Sequence, residues 1–159
     1  MDTLNSLILI LVANGAPVFA SYLFSHRQSL PVDLYYRLRD QQYLFGETKT
    51  WRGLFASLVM TSVLSLFLGY SVYFGLMIAA LSMAGDLLSS FIKRRLKKPS
   101  SSQFLLLDQV PESLLPAMFC MLVYDLELIQ VIGIIVIFII IEMALSIVLF
   151  RFGVRKKPY

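Results

Sequence analysis

The residues best suited to chemistry are two aspartates on either side of the most basic stretch of the chain. Asp86 precedes this stretch, Asp108 follows it, and the stretch reads Lys93-Arg94-Arg95-Leu96-Lys97-Lys98. Carboxylates that bind a divalent cation, beside cations that bind phosphate, are what phosphoryl or nucleotidyl transfer requires. Magnesium accepts one or two carboxylates together with substrate oxygens and water. The pattern therefore fits a Mg²⁺ site with Asp86 and Asp108 as candidate acids, although five cations in six residues usually indicate contact with lipid headgroups.

Asp86 shares one face with three later residues if this segment is a helix. They are Ser90, Lys93 and Lys97, at positions i+4, i+7 and i+11. A carboxylate within a membrane span is costly, and it usually faces a bundle interior or a wet cavity. Two interpretations stay open. One is a metal-binding carboxylate flanked by phosphate-binding cations, and the other is a stripe of Asp–Lys pairs that only supports the helix near the membrane surface.

A second group of candidates lies in the segment Gly46-Glu47-Thr48-Lys49-Thr50-Trp51-Arg52-Gly53. Either Thr48 or Thr50 suits the N-cap of the following helix. The free N–H groups of that helix terminus, next to Lys49 and Arg52, form a site for an anion such as phosphate. The alternative is interfacial anchoring, in which Trp51 lies at headgroup level and the two cations extend toward water.

Other catalytic chemistries lack their residues in this sequence. The chain has one histidine, His26, without a serine or cysteine constellation that suits it as a triad base. Its one cysteine, Cys120, lies inside an apolar run, so no disulfide framework is predicted. The sequence has no Walker-type glycine loop and no Cys/His metal spacing. The net charge of +4 fits anionic lipid headgroups or a phosphate-bearing substrate, and the basic segments lack the interleaved aromatics typical of nucleic-acid binding.

The elements that must position these residues are long apolar stretches. The chain of 159 residues is 58% apolar and 15% charged, which is typical of an integral membrane protein. A helix needs about 20 residues to cross a hydrocarbon core of about 30 Å. We therefore predict an all-α integral membrane protein, a single bundle of five transmembrane helices with two cytoplasmic loops. The predicted spans cover about residues 4–24, 53–70, 72–92, 111–125 and 128–150.

The lysines and arginines indicate how this bundle is oriented. All 14 lie in three segments, at residues 25–52, at residues 93–112 and from residue 151 onward. With five spans these segments share one face, and the positive-inside tendency makes that face the cytoplasm. The N-terminus is then outside and the C-terminus inside a multi-pass protein of the inner (plasma) membrane.

Polar residues interrupt the first and the last span. Asn14-Gly15-Ala16-Pro17 is predicted to break the first helix, because Pro17 lacks a backbone donor and Gly15 loosens the turn. In lipid such a break is either a packing kink or part of the lining of a binding cavity. Glu142 lies in the fifth span, and structural and functional roles both stay open for it.

Taken in order, these stretches resemble the CDP-archaeol synthases, a family similar in the same elements to the CDP-diacylglycerol synthases. From the N-terminus they are Asn14-Gly15-Ala16-Pro17-Val18, Lys49-Thr50-Trp51-Arg52-Gly53, Gly85-Asp86, Ser90-Phe91-Ile92-Lys93-Arg94-Arg95 and Leu107-Asp108-Gln109. The resemblance covers nearly the whole length. The family often has a second acid three residues after the last aspartate, whereas this chain has Pro111 there and its next acid is Glu112.

The resemblance implies a reaction in which CTP and a lipid phosphate give a CDP-lipid and pyrophosphate, with Mg²⁺. It implies that Asp86 and Asp108 hold the metal and act in catalysis together with Lys93. The substrate-binding residues that it implies are Asn14, Lys49, Thr50, Arg52, Ser90, Arg94 and Arg95. Among them, the arginines after Lys93 bind triphosphate and Asn14 lines a cavity on the lipid side.

A non-enzymatic interpretation stands beside this one. A lipid-binding scaffold or a transporter subunit would use the acids structurally, and its loop cations would matter only through their total charge. The expected partners of the enzyme are CTP and a membrane lipid phosphate, without nucleic acid, and a homodimer is left open.

Overall fold

The computed structural model describes residues 3–24, 29–99, 104 and 106–151. This part of the chain contains five α-helices. They are α1 (Thr3–Leu23), α2 (Trp51–Phe67), α3 (Val72–Arg95), α4 (Gln109–Tyr124) and α5 (Leu128–Arg151). The prediction of an all-helical fold with five helices is confirmed. Three of them, α1, α3 and α5, are long and apolar enough to cross a membrane, whereas α2 is apolar but has 17 residues. Membrane crossing by all five helices stays a prediction.

Helices that follow one another in the chain pack antiparallel, and glycines mark their closest approaches. A Cβ atom added to Gly53 near the start of α2 would lie 3.1 Å from Cβ of Pro17 near the end of α1. A Cβ atom added to Gly75 near the start of α3 would lie 2.7 Å from Cα of Ser62 in the second half of α2. Helix α1 contacts all four other helices, so it is the central element of the described bundle.

Helix α1 is continuous from Thr3 to Leu23, so the predicted break at residues 14–17 is wrong. Pro17 cannot donate to the carbonyl of Ala13, four residues earlier, and this carbonyl needs another partner. The hydroxyl of Ser57 in α2 donates to it at 2.7 Å. The freed backbone group is therefore satisfied by a neighbouring helix, as a membrane interior demands.

The two ends of the bundle differ in chemistry. At one end, the rings of Tyr70, Phe74, Phe119 and Tyr124 pack together, and the Phe74 and Tyr124 centroids are 5.2 Å apart. Asn5 donates to the Tyr70 hydroxyl at 3.0 Å, which ties the start of α1 to this cluster. The lysines and arginines of the described residues all lie toward the opposite end. That segregation agrees with the predicted grouping of the cations on one face.

The crossing of α2 and α3 gives a test of this packing. Gly75→Ala would force its methyl group against the Ser62 and Ser65 positions of α2, where the packed helices leave no room. Overpacking of this kind costs about 1–3 kcal/mol. We expect a lower midpoint of thermal unfolding in detergent, measured by circular dichroism. Gly133→Ala in α5 is the matched control, because no atom lies within 4 Å of its added Cβ, and an equal loss in both variants would contradict the assigned crossing.

Candidate active site

The candidate site lies at the polar end of the bundle, where α3 ends and α2 and α4 begin. The loop of residues 29–50 and the described residues 96–99 and 106–108 lie at this end. Thr50 is the N-cap of α2, since its hydroxyl accepts a hydrogen bond from the Gly53 amide at 3.2 Å. Of the two predicted caps, Thr48 and Thr50, the structure therefore uses Thr50, the residue directly after Lys49.

Lys49 forms an ion pair with Asp86 of α3. The backbone on both sides of Lys49 is fixed, because its carbonyl accepts from Val32 N at 2.8 Å and Trp51 N donates to the Leu30 carbonyl at 3.0 Å. Burial by itself would lower the pKa of the Lys49 ammonium, but the carboxylates of Asp86 and Glu112 raise it above its ordinary value. Lys49 is therefore a cation at neutral pH.

Glu112, in the first turn of α4, forms a side-chain hydrogen bond with Asp86. Gly85 makes this contact possible, because a Cβ atom added to it would lie 2.2 Å from the Pro111 carbonyl oxygen. Only a residue without a side chain allows the backbones of α3 and α4 to approach so closely. Two carboxyl groups in direct contact hold either a shared proton or a cation between them.

A second ion pair joins the end of α3 to the start of α4. The Lys93 ammonium lies 2.7 Å from the Asp108 carboxylate, and Lys93 is only 6% exposed. The other carboxylate oxygen of Asp108 accepts from the Phe104 amide at 2.9 Å. The two ion pairs are electrostatically linked, because Lys93 acts on Asp86 and Asp108 acts on Lys49.

Each of the two aspartates predicted to hold the metal, Asp86 and Asp108, forms an ion pair with a lysine. Asp86 lies against Lys49 and Glu112, while Asp108 lies against Lys93. Within the described ranges, no group of three or more acidic, histidine or cysteine side chains is placed to hold a metal ion. The contacting pair, Asp86 and Glu112, fits a hard divalent cation, because magnesium needs few protein oxygens when substrate phosphates and water supply the others.

The other predicted residues are spread around this centre. Arg94 is buried and donates to the Pro99 carbonyl at 2.8 Å. Arg95 reaches the first loop, where it pairs with Asp40 at 2.5 Å and donates to the Tyr43 carbonyl at 2.8 Å. Both arginines thus hold the loops in place.

Four further candidates have distinct positions. Asn14 donates to the Ser82 hydroxyl at 2.6 Å, and Ser82 donates to the Glu112 carbonyl at 3.0 Å, which links α1 through α3 to α4. Ser90 is buried in α3, and Arg52 lies in the first turn of α2. The predicted shared face of residues 86–97 is only partly correct, because α3 ends at Arg95 and Lys97 is exposed with a positive φ of 55°.

The sequence showed Glu112 as the next acid after Asp108 but predicted no role for it. Its signal was an acid inside an otherwise apolar segment, one position after the place where the related family carries one. Glu142 of α5 lies within electrostatic range of Glu112. Neither interaction can be predicted from spacing along the chain, since each joins two different helices.

The family of this chain follows from its similarity to known proteins. Residues 2–159 match the CarS-like family of CDP-archaeol synthases. The chain belongs to this family. The CDP-archaeol synthase of Pyrobaculum aerophilum is 31% identical over 153 residues, with 93% of this chain and 92% of that protein covered. The CDP-archaeol synthase of Sulfolobus acidocaldarius is 29% identical, with 94% and 91% covered.

The fold of this CDP-archaeol synthase family member is also similar to that of a solved structure. It is described as an intramembrane enzyme for archaeal membrane lipid biosynthesis. The TM-score is 0.73 at 26% sequence identity, with 90% of this chain and 91% of that chain covered. The resemblance drawn from the ordered motifs is confirmed over nearly the whole length, and the fold is that of an intramembrane enzyme.

The approach of α3 to α4 gives a test of the site geometry. Gly85→Ala would push its methyl group into the backbone at Pro111 and Glu112, and would separate Asp86 from Glu112. Displacement of reacting groups by about 1 Å can lower a rate about 100-fold. We expect a loss of turnover of that order in the assay described below. Gly15→Ala in α1 is the control, because no atom lies within 4 Å of its added Cβ, and full activity of the Gly85 variant would contradict the contact.

Proposed function

We propose that this protein is a CTP-dependent cytidylyltransferase that makes a CDP-activated lipid in phospholipid biosynthesis. The observation that supports it best is the pair of lysine–carboxylate contacts, Lys49–Asp86 and Lys93–Asp108, at the polar end of a bundle of the CDP-archaeol synthase family. The acceptor is a lipid phosphate monoester, and the names of the relatives favour an archaeol-like isoprenoid ether lipid. The products are a CDP-lipid and pyrophosphate.

The reaction is a displacement at phosphorus. An oxygen of the lipid phosphate attacks the α-phosphorus of CTP, the bond from that phosphorus to the bridging oxygen of the β-phosphate breaks, and pyrophosphate leaves. No covalent intermediate with the protein is required, because positioning and charge stabilisation supply most of the rate in phosphate transfer. Lys49 and Lys93 are the cations that substrate phosphates would meet at the ends of α2 and α3.

The lysine–carboxylate pairs suggest how these cations are kept ready. Each lysine is partly or wholly buried, so without a substrate its charge needs a partner, and a carboxylate supplies one. Substrate phosphates offer the same lysines a second anion. If a substrate phosphate replaced a carboxylate beside its lysine, that carboxylate would become available to a metal ion at the same place.

Magnesium is part of the proposal. Asp86 and Glu112 would hold it, with Asp108 as a further ligand, and the ion would neutralise phosphate oxygens when bound. The protein groups would orient the nucleotide and the lipid phosphate around it. Lys93 would stabilise the charge that develops on the leaving pyrophosphate.

The orientation in the membrane follows from the substrates. CTP is a soluble nucleotide, so the polar end that carries the lysines is proposed to face the cytoplasm, with the N-terminus outside. Helix α5 is the most apolar of the three long helices and the least buried, which supports contact with lipid along its length. The lipid phosphate would enter the site sideways from the inner leaflet.

The decisive experiment supplies purified protein with CTP, Mg²⁺ and a panel of ether- and ester-linked lipid phosphates. We expect CDP-lipid by mass spectrometry and an equal amount of pyrophosphate.

Lys93→Gln should lower turnover about 100-fold, because the Lys93 ammonium is fixed at the site. Lys98→Gln in the same basic run should change it less than twofold, since Lys98 is exposed. Equal losses would favour a site that senses only total charge, and no product with any lipid would favour the scaffold.

Glu112 gives an independent test of the metal proposal. Glu112→Gln removes the charge but keeps a side chain that can bond to Asp86. We expect the affinity for Mg²⁺ to fall by at least about 10–100-fold, because that is the loss for groups that only orient a metal ligand and Glu112 is proposed as a ligand itself. The measurements are calorimetric titration with Mg²⁺ and the Mg²⁺ concentration that gives half-maximal turnover. Glu127→Gln, outside the helices at the other end of the bundle, is the control, and unchanged metal affinity would remove Glu112 from the site.

A further inference from the structure

Asp33 is a buried carboxylate in the first loop, only 7% exposed, and it lies outside the set of site residues described above. One of its oxygens accepts from the Tyr35 amide at 3.1 Å. The other accepts from the Phe45 amide at 3.0 Å and from the Gly46 amide at 2.9 Å. One side chain therefore receives three backbone N–H groups from two stretches of the loop that are far apart in sequence.

These bonds close the loop on itself just before the site. The Gly46 carbonyl accepts from the Lys49 amide at 3.2 Å, so Gly46 starts the turn that delivers Lys49. On the other side of Asp33, the Val32 amide donates to the Lys49 carbonyl at 2.8 Å. The Asp33 carboxylate therefore joins two stretches of the loop, and each stretch also bonds to the backbone of Lys49.

The loop has a conformation that needs such support. Leu34 and Tyr35, directly after Asp33, have positive φ angles of 46° and 64°. Residues with a side chain seldom adopt these angles, and they persist only where surrounding bonds fix them. Gly46 also has a positive φ, 99°, where glycine carries no penalty. The carboxylate of Asp33 bonds directly to two of these three residues, through the amides of Tyr35 and Gly46.

We propose that Asp33 is a positioning residue for the reaction, which holds Lys49 against Asp86 by fixing the backbone of the first loop. The inference rests on the proposed function, because Lys49 matters for turnover only if the site transfers cytidylate. It assigns to Asp33 an effect that passes through Lys49 and involves no contact with substrate.

A double-mutant cycle tests this route. We expect Asp33→Asn to lower kcat about 10-fold and Asp33→Ala about 100-fold, because asparagine keeps one acceptor oxygen and alanine keeps none. In a Lys49→Gln background, the same substitutions should cause less than a further twofold loss, since the group that they position is gone. Losses that multiply in the double variants would overturn the proposal, and so would full activity of Asp33→Ala.

Trp51 provides a readout that does not depend on activity. It is the single tryptophan of the chain and lies two residues after Lys49. We expect a shifted Trp51 emission maximum and faster collisional quenching in Asp33→Ala, with an unchanged helical circular dichroism signal. Unchanged Trp51 fluorescence in that variant would overturn the proposal, because the loop would then keep its conformation without the carboxylate.

Asp125→Asn is the matched control for both measurements. Asp125 is an aspartate at the opposite end of the bundle, with a left-handed φ of 51° that asparagine tolerates well. We expect unchanged turnover and unchanged Trp51 emission. The two proposals fail separately, because an inactive wild-type protein with an intact Asp33 effect on Trp51 would reject cytidylyl transfer and keep the loop assignment.

Discussion

The close approach of α3 and α4 at Gly85 is the constraint on which the site depends. The backbone at Pro111 and Glu112 occupies the space that any side chain at position 85 would need. This contact places Asp86 against Glu112, and it brings the end of α3 beside the start of α4, where Lys93 meets Asp108. The glycine at position 85 thereby allows the close approach of two helix segments that bring four ionisable groups of the site together.

Charge compensation explains why such groups are tolerated in an apolar bundle. An unpaired buried charge has a large desolvation cost, and attraction to a partner of opposite charge offsets part of that cost. Each lysine of the centre meets a carboxylate from a different element, and the arginines after Lys93 bond to loop carbonyls at Pro99 and Tyr43. The centre is therefore a set of paired charges, in which each lysine and its carboxylate offset each other's burial cost.

The motifs and the helices were readable from the sequence, but three local expectations were wrong or incomplete. Pro17 did not break α1, because Ser57 of another helix bonds to the freed carbonyl. Lys97 left the face of α3, because the helix ends before it. The sequence also missed the Asp86–Glu112 contact, which depends on how two helices cross. In each case a residue distant in sequence, or the end of a helix, decided the outcome.

The sequence by itself determined the number of helices, their apolar character, the grouping of the cations and the family. These features depend on composition, on periodicity and on neighbours along the chain, all of which can be read without coordinates. Tertiary structure alone decided which carboxylate meets which lysine and how Asp33 closes the loop that carries Lys49. The physical reason is that side-chain pairs between separate elements depend on interhelical distance and on backbone angles. The interhelical distance at Gly85 and the backbone angle at Leu34 both depend on contacts with residues that are distant in sequence.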